Sequence, residues 1–555
     1  SCLNLGGGEC HKLTFIELRN EVVRAALSLQ KLGVKKGDKA LIISENRPEW
    51  VMVDMALMLL EAISVPIHRN MSPEQIGVVV DEVEAKYVFV SDKAAFSILG
   101  DYIEKIDKIV MFEKQDMIDT KIKSKISHFS DLMAETEIDD RTIEDWAHRA
   151  QQIDKNNIAT IAYTSGTTGK PKGACLMHTN FISMVMGNWD LIRMQPNDRY
   201  LSILPLSHVM GRAANNSVLY AGSSIKYCNI IENISKELLF YRPTILIAVP
   251  RMFERIYEQA IAKANENIVS RLLFKLAMMY SAENSNRQTK WLFDRLIFSV
   301  VRDRLGGKVR LCFSGGGALD LNVIKFFQKV GINITEGYGL TETTSMVTLN
   351  DPCNIKSGTV GKAIRGMDIK IADDGEIIIK GTSLMAGYVR KEDEIGAFTD
   401  DGYFKTGDLG SIDEEGYLTI LGRKKDILVL STGENIAPVV IEQALLKSPY
   451  IDQALVIGDG YKHISAIIVV NTEEIEKSLK LDTVNFLEDD RVQRLIDDEV
   501  VRTTKDLPEI QQIRKYILAT QPFTVENNQL SVSLKPRRQE ILNSYAAEIK
   551  ELYGR

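Results

Sequence analysis

One segment of the sequence combines the residue types that proteins use to bind phosphate. Residues 163–173 read YTSGTTGKPKG and directly follow an apolar, strand-like run. Hydroxyl side chains, glycines and lysines this close together suit a loop that surrounds phosphate oxygens with backbone N–H groups and hydroxyls. The segment is not a Walker loop, because Lys170 is followed by Pro171 and the glycine spacing differs from that motif. A plain surface turn would explain the glycines and threonines, but not the lysines and proline in this order.

Five later segments carry small, aromatic or charged residues that could complete a nucleotide site. Taken singly, GYGLTET and TGD are also typical of ordinary turns, and the histidine of LPLSH is equally consistent with a buried core histidine. The segments are LPLSH at residues 204–208, GYGLTET at 337–343, TGD at 406–408, GRKKD at 422–426 and STGENIAPVVIE at 431–442. Their interpretation therefore depends on their combination and order.

Together with the first segment, these motifs resemble the signature motifs of the adenylate-forming superfamily, in the same order. That superfamily includes acyl-CoA synthetases, adenylation domains of non-ribosomal peptide synthesis and luciferases, and the resemblance covers essentially the whole chain. It implies that Tyr338 stacks on adenine while Glu342 helps to hold Mg²⁺ between the phosphates, roles that suit an aromatic ring and a hard oxygen ligand. It also implies that Asp408 accepts hydrogen bonds from the ribose hydroxyls and that Arg423 is a second nucleotide contact. His208 would lie beside the substrate carboxylate.

The resemblance assigns further roles to the C-terminal part. Lys535 matches the lysine that bridges the attacking carboxylate and the α-phosphate, where a compact cation stabilises shared charge. Lys425 matches the hinge about which the small domain rotates, and Gly433 would line the pantetheine tunnel after that rotation, where a missing side chain leaves room. The chain departs from the family pattern in two places. Residues 531–533 read SVS where long-chain synthetases usually have Thr-Pro-Thr, and residues 317–318 read Gly-Ala where many members have Ala-Pro.

The resemblance therefore implies one set of site residues. Four are assigned to catalysis: Lys535, Glu342, Lys172 and His208. Those assigned to ATP, AMP or CoA are Thr164, Ser165, Gly166, Thr167, Thr168, Gly169, Lys170, Gly316, Gly337, Tyr338, Gly339, Thr341, Asp408, Arg423 and Gly433. The metal is assigned to Thr164 and Glu342, and the hinge to Lys425.

The length of residues 251–307 indicates a branch of the superfamily. This helical, amphipathic stretch is longer than compact adenylation domains usually have, and it looks like the insertion of long-chain acyl-CoA synthetases. We therefore expect a long-chain fatty acid–CoA ligase that uses ATP, Mg²⁺ and coenzyme A and has an apolar acyl tunnel. A fatty acid would form acyl-AMP with release of pyrophosphate, and the acyl group would pass to the CoA thiol. Two alternatives stay open: a ligase of acyl carrier protein, and a catalytically silent acyl- or nucleotide-binding protein.

Alternating helices and strands must position these residues. The first third of the chain has the pattern of helix and buried strand that predicts a mainly parallel sheet with covering helices. Short strands around turns at residues 369–380 and 408–421 predict β-hairpins and a small β-barrel-like part. A smaller α+β pattern follows. We therefore expect an α/β fold with a large N-terminal domain at residues 1–422 and a small mobile C-terminal domain at residues 423–555.

The overall composition excludes several classes of protein. The chain has 555 residues and a net charge of -7, and an acidic protein lacks the basic field that binding to nucleic acid needs. The apolar run at residues 51–67 contains Asp54 and Glu61, which favours a buried core helix over a membrane span. The lack of a visible secretory signal and of any CxxC pair predicts a cytoplasmic protein. Peripheral contact with the inner face of a membrane and the oligomeric state stay open.

Overall fold

We describe the fold from a computed structural model of the chain. The described residues are 12–115, 122–164, 170–228, 233–265, 271–272, 274, 276, 278, 293–479, 489–519, 521–524, 526–530 and 536–554. By its internal contacts the chain divides into two units. The larger unit consists of Ser1–Lys370, Ile378–Lys405 and Ile412–Leu418, and the smaller unit of Ile371–Ile377, Thr406–Ser411 and Thr419–Arg555. The domain boundary between residues 422 and 423 stays a prediction.

Strands recur along the whole described chain. In chain order they are β1 Lys39–Ile43, β2 Ile63–Ile67, β3 Tyr87–Val90, β4 Lys108–Met111, β5 Ile126–His128, β6 Ile158–Thr164, β7 Lys172–Met177, β8 Arg199–Ser202, β9 Ser224–Tyr227, β10 Ile245–Ala248, β11 Leu311–Ser314, β12 Ile334–Leu340, β13 Ser345–Leu349, β14 Lys362–Ala363, β15 Met367–Ile371, β16 Glu376–Gly381, β17 Gly387–Tyr388, β18 Phe404–Ile412, β19 Leu418–Arg423, β20 Leu428–Val429, β21 Asn435–Ile436, β22 Ile451–Ile457, β23 Ser465–Val470 and β24 Tyr516–Leu518.

Helices separate most of these strands. In chain order the α-helices are α1 Phe15–Leu32, α2 Pro48–Leu59, α3 Pro73–Val83, α4 Lys93–Ser97, α5 Phe129–Ala134, α6 Asp140–Gln152, α7 His178–Ile192, α8 Val209–Tyr220, α9 Ile234–Tyr241, α10 Pro250–Asn265, α11 Ser299–Arg304, α12 Leu321–Val330, α13 Pro438–Leu445, α14 Thr472–Leu479, α15 Asp490–Thr504, α16 Arg538–Ser544 and α17 Ala546–Leu552. The described parts of the long stretch at residues 251–307 are mainly helical, as its pattern predicts.

The first sheet has the strand order β17-β7-β6-β2-β1-β3-β4-β5. The pairs from β6 through β2, β1, β3 and β4 to β5 are parallel, whereas β7 is antiparallel to both β6 and β17. Strand β1 is buried from its second residue onward, which explains its apolar sequence, because a parallel strand is covered on both faces. The predicted mainly parallel sheet is confirmed.

The second sheet has the order β14-β13-β12-β11-β10-β8-β9. Strands β8 to β12 pair in parallel, while β13 is antiparallel to both β12 and β14. The four-stranded sheet β15-β16-β18-β19 forms a half-barrel, which is the small barrel-like part expected from the hairpin pattern. In the smaller unit the sheet β22-β23-β24 packs with helices into a separate apolar core. The α/β class and the C-terminal α+β pattern are both confirmed.

Helix boundaries follow capping residues. Helix α1 begins after Thr14, whose hydroxyl accepts from the N–H of Glu17, and it ends before Gly33, whose φ is 107°. This arrangement satisfies backbone groups that helix ends leave without partners. The apolar run at residues 51–67 is divided between α2 and β2 and is mostly buried. It is therefore core, as predicted, although its last part is a strand rather than helix. Across the described part of the chain, the helices lack the combination of length and apolarity that crossing a membrane requires.

Candidate active site

The phosphate-loop segment joins two paired strands of the first sheet. Strand β6 ends at Thr164 and β7 begins at Lys172, which are register partners, and Thr164 Oγ1 lies 3.5 Å from the backbone oxygen of Lys172. The hairpin therefore holds both ends of the segment together. Gly173 is needed next to Lys172, because a Cβ atom there would lie 2.9 Å from two neighbouring side chains. Lys170 is exposed, and five predicted site residues lie outside the described residues: Ser165, Gly166, Thr167, Thr168 and Gly169.

The ammonium group of Lys172 has two partners from a distant part of the chain. Its Nζ lies 3.1 Å from Asp393 Oδ1 and 5.5 Å from the ring centroid of Tyr388. Burial opposes ionisation of Asp393, but hydrogen bonds from Arg390 and Lys172 outweigh it and hold the pKa of this carboxyl below its ordinary value. Asp393 is therefore a charged partner for Lys172 at neutral pH.

Arg390 ties the segment around Asp393 to the phosphate loop. Its Nε donates to Asp393 Oδ2 at 2.8 Å, and its Nη2 donates to the backbone oxygen of Pro171 at 2.8 Å. Its Nη1 lies 3.3 Å from Glu82 Oε2. Sequence reasoning missed this group of residues. The available signal was the run of two basic and three acidic residues in GYVRKEDE at residues 387–394.

Glu342 lies just after β12 and is half-buried. Its Oε1 accepts a hydrogen bond of 2.7 Å from the hydroxyl of Tyr388, and its backbone oxygen accepts one of 2.8 Å from Met385 N–H. Burial raises the pKa of Tyr388, and the charge of Glu342 raises it further, so the phenol stays protonated as a donor. Tyr388 thus contacts Lys172 and Glu342 together, and it brings two sequence-predicted site residues into one neighbourhood.

The turn after Glu342 has a constrained backbone. Thr344 and Ser345 have φ values of 55° and 91°, a conformation that costs free energy for residues with a side chain. Buried hydrogen bonds hold the turn in place: Thr343 Oγ1 donates to the backbone oxygen of Ser345 at 2.9 Å, and Thr344 Oγ1 donates to that of Ser383 at 2.8 Å. The orientation of Glu342 therefore depends on this turn as well as on Tyr388.

Four residues assigned to nucleotide binding, among them Tyr338 for adenine, lie at the end of β12 or just after it. Gly337, Tyr338 and Gly339 are half-buried there, and Thr341 follows in the turn. The strand register shifts between Tyr338 and Gly339. At this bulge β13 approaches so closely that a Cβ on Gly339 would lie 1.7 Å from the backbone oxygen of Ser345. Only glycine fits at this position.

A buried carboxyl lies beside the small-residue segment at residues 314–319. Glu336 is 7% exposed, and its Oε1 accepts from the N–H of Leu319 at 3.4 Å. Burial raises the pKa of Glu336 to about 7. Gly316, in the same segment, has a φ of 83°. This segment therefore packs beside a buried acid whose pKa is near neutral, a feature that the sequence motifs did not predict.

His208 caps helix α8 at the surface of the larger unit. The side chain is exposed, and its Nδ1 accepts from the N–H of Met210 at 3.2 Å. His208 is therefore not a buried core histidine, which was the alternative interpretation of the LPLSH motif. Its ring centroid lies 6.1 Å from that of His68, so two histidines flank the start of α8.

An apolar pocket begins close to His208. It lies between the end of α7, one face of α8, and strands β10, β11 and β13, and only one of its lining residues is polar. The lining residues are Ile192, Met194, Met210, Ala214, Ser217, Ile247, Phe313 and Met346. A Cβ on Gly315 would lie 3.2 Å from Met210 Sδ, so the small-residue segment is next to the same methionine. The volume of the pocket is only about 20 Å³, which is enough for about one water molecule and is far below the size of a pocket that binds a small molecule.

No metal cluster of protein side chains is present in the described part of the chain, where no three His, Cys, Asp or Glu residues are arranged to hold an ion. Mg²⁺ that binds with a nucleotide takes one or two protein ligands and completes its octahedral shell with phosphate oxygens and water. The carboxylate of Glu342 and the hydroxyl of Thr164 fit that smaller donor set.

Two predicted nucleotide contacts are paired in the smaller unit. Arg423 Nε lies 2.8 Å from Asp408 Oδ1, and the Asp408 side chain is largely buried. The N–H of Asp408 donates to Thr406 Oγ1 at 3.0 Å, and Thr406 Oγ1 donates to the backbone oxygen of Ile377 at 2.7 Å. The ion pair with Arg423 orients the carboxylate, and the other contacts hold the backbone of Asp408 in the middle of β18. An oriented carboxylate of this kind suits recognition of a diol.

Two further assigned residues of the smaller unit, Lys425 and Gly433, lie in turns. Lys425 lies in a short 3₁₀ turn, Lys424–Asp426, and burial lowers its pKa. Gly433 lies between β20 and β21 with a φ of 94°, and a Cβ there would meet no neighbouring atom. Lys535 lies outside the described residues.

Two family models match the chain. The model of the AMP-binding enzyme matches residues 2–389, and that of the AMP-binding enzyme C-terminal domain matches residues 425–555. The chain is also 31% identical, over 98% of its length and 92% of the relative's, to the long-chain-fatty-acid–CoA ligase FadD15 of Mycobacterium bovis. It is 26% identical, over 98% of its length and 83% of the relative's, to a chloroplastic long-chain-fatty-acid–[acyl-carrier-protein] ligase of Arabidopsis thaliana.

Solved structures show the same fold. The adenylation domain of a carboxylate reductase from Mycobacterium chelonae matches with a TM-score of 0.77 and 20% sequence identity. The match covers 99% of this chain and 85% of that chain. The likeness therefore extends over both units, each of which has its counterpart in the fold of that domain.

Proposed function

The chain belongs to the AMP-binding enzyme family, and we propose that it is an ATP-dependent ligase that converts a long-chain fatty acid into its CoA thioester. The observation that carries the proposal is the double contact of Tyr388, which bonds to Glu342 and lies over Lys172. A cation and a carboxylate held together in this way support a site for a metal-bound polyphosphate.

In the first half-reaction, a carboxylate oxygen of the fatty acid attacks the α-phosphorus of ATP. The bond from that phosphorus to the bridging oxygen of the β-phosphate breaks, so acyl-AMP and pyrophosphate form. We assign the leaving pyrophosphate to Lys172 and the preceding loop, because positive charge and N–H donors stabilise the negative charge that develops there. Lys535 would stabilise the charge shared by the carboxylate and the α-phosphate, and Asp408 would orient the ribose.

Mg²⁺ would be held by Glu342 and Thr164 together with the phosphates. When bound, the ion neutralises phosphate charge during the transfer. The protein's own contribution is orientation: Tyr388 fixes the carboxylate of Glu342 through a 2.7 Å hydrogen bond. The constrained turn that follows limits how far Glu342 can move.

The acyl chain would occupy an apolar channel much larger than the small cavity beside α8. Each methylene transferred from water to an apolar environment contributes about 0.8 kcal/mol, so longer acids gain affinity until the channel is filled. The match to a long-chain-fatty-acid–CoA ligase supports the same substrate class. We therefore propose long-chain fatty acids rather than acetate or amino acids as substrates.

In the second half-reaction, the thiolate sulfur of CoA attacks the acyl carbonyl carbon. The bond from that carbon to the phosphate oxygen breaks, and AMP leaves. We propose that Gly433 lines the path of the pantetheine arm, since it has no side chain and open space around its Cβ position. We propose Lys425 as the hinge residue between the two half-reactions.

Pyrophosphate release with acids of graded length tests the proposal. With MgATP and CoA, we expect the greatest kcat/KM for acids of about twelve or more carbons, and acyl-CoA should form in step with AMP. A preference for acetate would contradict the long-chain assignment. Absence of pyrophosphate release with every acid would instead indicate a silent acyl- or nucleotide-binding protein.

Acyl carrier protein is the second candidate acceptor. The similarity to a long-chain-fatty-acid–[acyl-carrier-protein] ligase from Arabidopsis thaliana supports acyl carrier protein as an alternative acceptor. A thioester assay that offers CoA and phosphopantetheinylated acyl carrier protein, separately and in competition, distinguishes the two. Thioester formation on the carrier protein alone would contradict CoA as the acceptor.

A further inference from the structure

The loop that carries His208 is attached to a single buried asparagine. Asn46 is 5% exposed, and its Nδ2 donates to the backbone oxygens of Ser202, at 3.1 Å, and Leu204, at 2.7 Å. Its Oδ1 accepts from the N–H of Leu206 at 2.9 Å. One amide thus satisfies three backbone groups of residues 202–206, so its two donors and its acceptor are all used on this loop.

A second contact reaches the same loop from a neighbouring strand. His68 Nδ1 lies 2.7 Å from the hydroxyl oxygen of Ser207, the residue before His208. Burial lowers the pKa of His68, which favours the neutral ring, whose unprotonated nitrogen can accept from a hydroxyl. Both ends of the loop after β8 are therefore bonded to side chains from elsewhere in the larger unit.

The two contacts come from adjacent strand ends in the first sheet. Asn46 follows the end of β1 by three residues, and His68 directly follows β2. These strands are parallel neighbours whose last residues, Ile43 and Ile67, are register partners. Since the strands have a fixed register, the spacing between the two contacts is set by the sheet and not by the loop itself.

We propose that Asn46 and His68 are positioning residues that hold the loop of residues 202–208 so that His208 meets the carboxylate of the acyl substrate. The inference rests on the proposed function, because it concerns the binding of the acid that is activated. Neither residue needs to touch the substrate. Both act through the backbone or hydroxyl of the loop, which continues into α8 and its pocket-lining residue Met210.

The proposal predicts a selective effect on the acid. Without these side-chain contacts the loop samples other conformations, so part of the binding free energy of the fatty acid is used to order the loop. The KM for the fatty acid should rise about tenfold in Asn46→Ala and His68→Ala, because each change leaves buried or partly buried hydrogen-bonding groups without a partner. The KM for ATP should stay within about twofold, since the loop carries none of the phosphate contacts.

A conservative variant separates positioning from a general need for histidine. In His68→Asn, the side-chain oxygen occupies nearly the place of Nδ1 and can still accept from Ser207. We expect His68→Asn to restore most of the affinity for the acid that His68→Ala loses. A loss in His68→Asn equal to that in His68→Ala would overturn the role of the Ser207 contact.

Asn350 provides a matched control for burial and bonding. It is 0% exposed, its Nδ2 donates to the backbone oxygen of Thr359 at 2.7 Å, and its Oδ1 accepts from Lys356 N–H at 3.2 Å. Asn350→Ala should lower the melting temperature as Asn46→Ala does, because both remove buried hydrogen bonds. It should leave the ratio of the two KM values unchanged.

Steady-state pyrophosphate release by the whole chain, with laurate and ATP varied in turn, measures these constants. Asn46→Asp replaces Asn46→Ala if the alanine variant does not fold, because it keeps the acceptor and removes both donors. A parallel rise of both KM values, or no change in either, would overturn the positioning role. Lack of activity in the parent chain with every acid would overturn the proposed function instead, so the two failures are distinguishable.

Discussion

At the scale of single residues, a phosphate that binds Lys172 must compete with the carboxylate of Asp393. Its side chain is 29% exposed and that of its partner Asp393 is 15% exposed. Such a pair is shielded more than a surface ion pair, so its attraction exceeds the small contribution typical of exposed pairs. A polyphosphate with several negative charges can still displace or share the contact. Asp393 and the ring of Tyr388 therefore orient Lys172 before a substrate binds.

Lys172→Ala should slow single-turnover formation of acyl-AMP by roughly 100-fold at saturating ATP, because the leaving pyrophosphate loses a positive charge that meets it. Quenched-flow measurement of acyl-AMP gives the rate. Lys391→Ala is the matched control, since Lys391 pairs with Glu394 in the neighbouring segment and its side chain is 80% exposed. An unchanged rate in Lys172→Ala would remove this lysine from the leaving-group site.

Glu336→Gln should change how stability depends on pH. Burial raises the pKa of Glu336 from 4.5 to about 7, so between these values the folded state keeps a proton that the unfolded chain has lost. The free energy of unfolding therefore falls as pH rises through this window, by at most roughly 3 kcal/mol. Glutamine does not titrate. We expect the urea midpoint of Glu336→Gln, relative to that of the parent, to increase from about pH 5 to about pH 8. A difference between the two midpoints that is the same at every pH would contradict a raised pKa for Glu336.

At the scale of elements, helix α8 connects the polar and apolar parts of the site. His208 precedes its first turn, and Met210, Ala214 and Ser217 lie along one face toward the pocket. Residues three or four apart share a face of a helix, which explains the spacing. On the same helix, Arg212 is buried and its Nη2 lies 2.8 Å from Asp54 Oδ1. This ion pair holds α8 against α2, so the pocket face is not free to rotate.

Ala214→Phe tests whether the acyl chain passes the face of α8 that lines the small cavity, because the larger side chain fills the cavity and extends beyond it. We expect kcat/KM for an acid of about sixteen carbons to fall about tenfold, because losing about two buried methylenes costs roughly 1.5 kcal/mol. Shorter acids that do not reach residue 214 should be affected less. The control is Asn216→Phe, on the same helix but outside the pocket lining. Equal losses for long and short acids in Ala214→Phe would place the acyl chain elsewhere.

At the scale of the whole molecule, the assigned residues are distributed over two units. Lys172, Glu342 and His208 belong to the larger unit, while Asp408, Arg423 and Gly433 belong to the smaller unit. By the proposed function, Lys535 serves adenylation and Gly433 serves thioester formation, although both come from the C-terminal part. One mobile unit that presents different residues in the two half-reactions would account for this division.

Lys535→Ala and Lys425→Pro should affect opposite half-reactions. We expect Lys535→Ala to slow acyl-AMP formation by about 100-fold or more and to spare thioester formation from supplied acyl-AMP. Lys425→Pro should spare adenylation and slow thioester formation, since proline fixes φ at the hinge. Each variant serves as the control for the other when both half-reactions are measured in both. Equal slowing of the two steps in each variant would contradict rotation about Lys425.

Local patterns in the sequence were sufficient for the elements and the motifs. The pattern of helix and buried strand in the first third predicted the mainly parallel sheet, and the hairpin patterns at residues 369–380 and 408–421 correspond to paired strands. These features depend on contacts between residues close in the chain, whose periodicity and capping chemistry are visible without a fold. The order of the motifs likewise indicated an adenylate-forming enzyme, and the family match agrees.

Only the tertiary structure decided which side chains meet. Strand β17 has two residues and no periodic signal, yet its antiparallel pairing with β7 brings Tyr388 to Lys172 and Glu342. Asn46 and the His208 loop are joined across 156 or more positions of sequence in the same way. The raised pKa of Glu336 also depends on its burial. Strand order, register and burial arise from packing of the entire unit, so no local pattern of residues could have predicted these contacts.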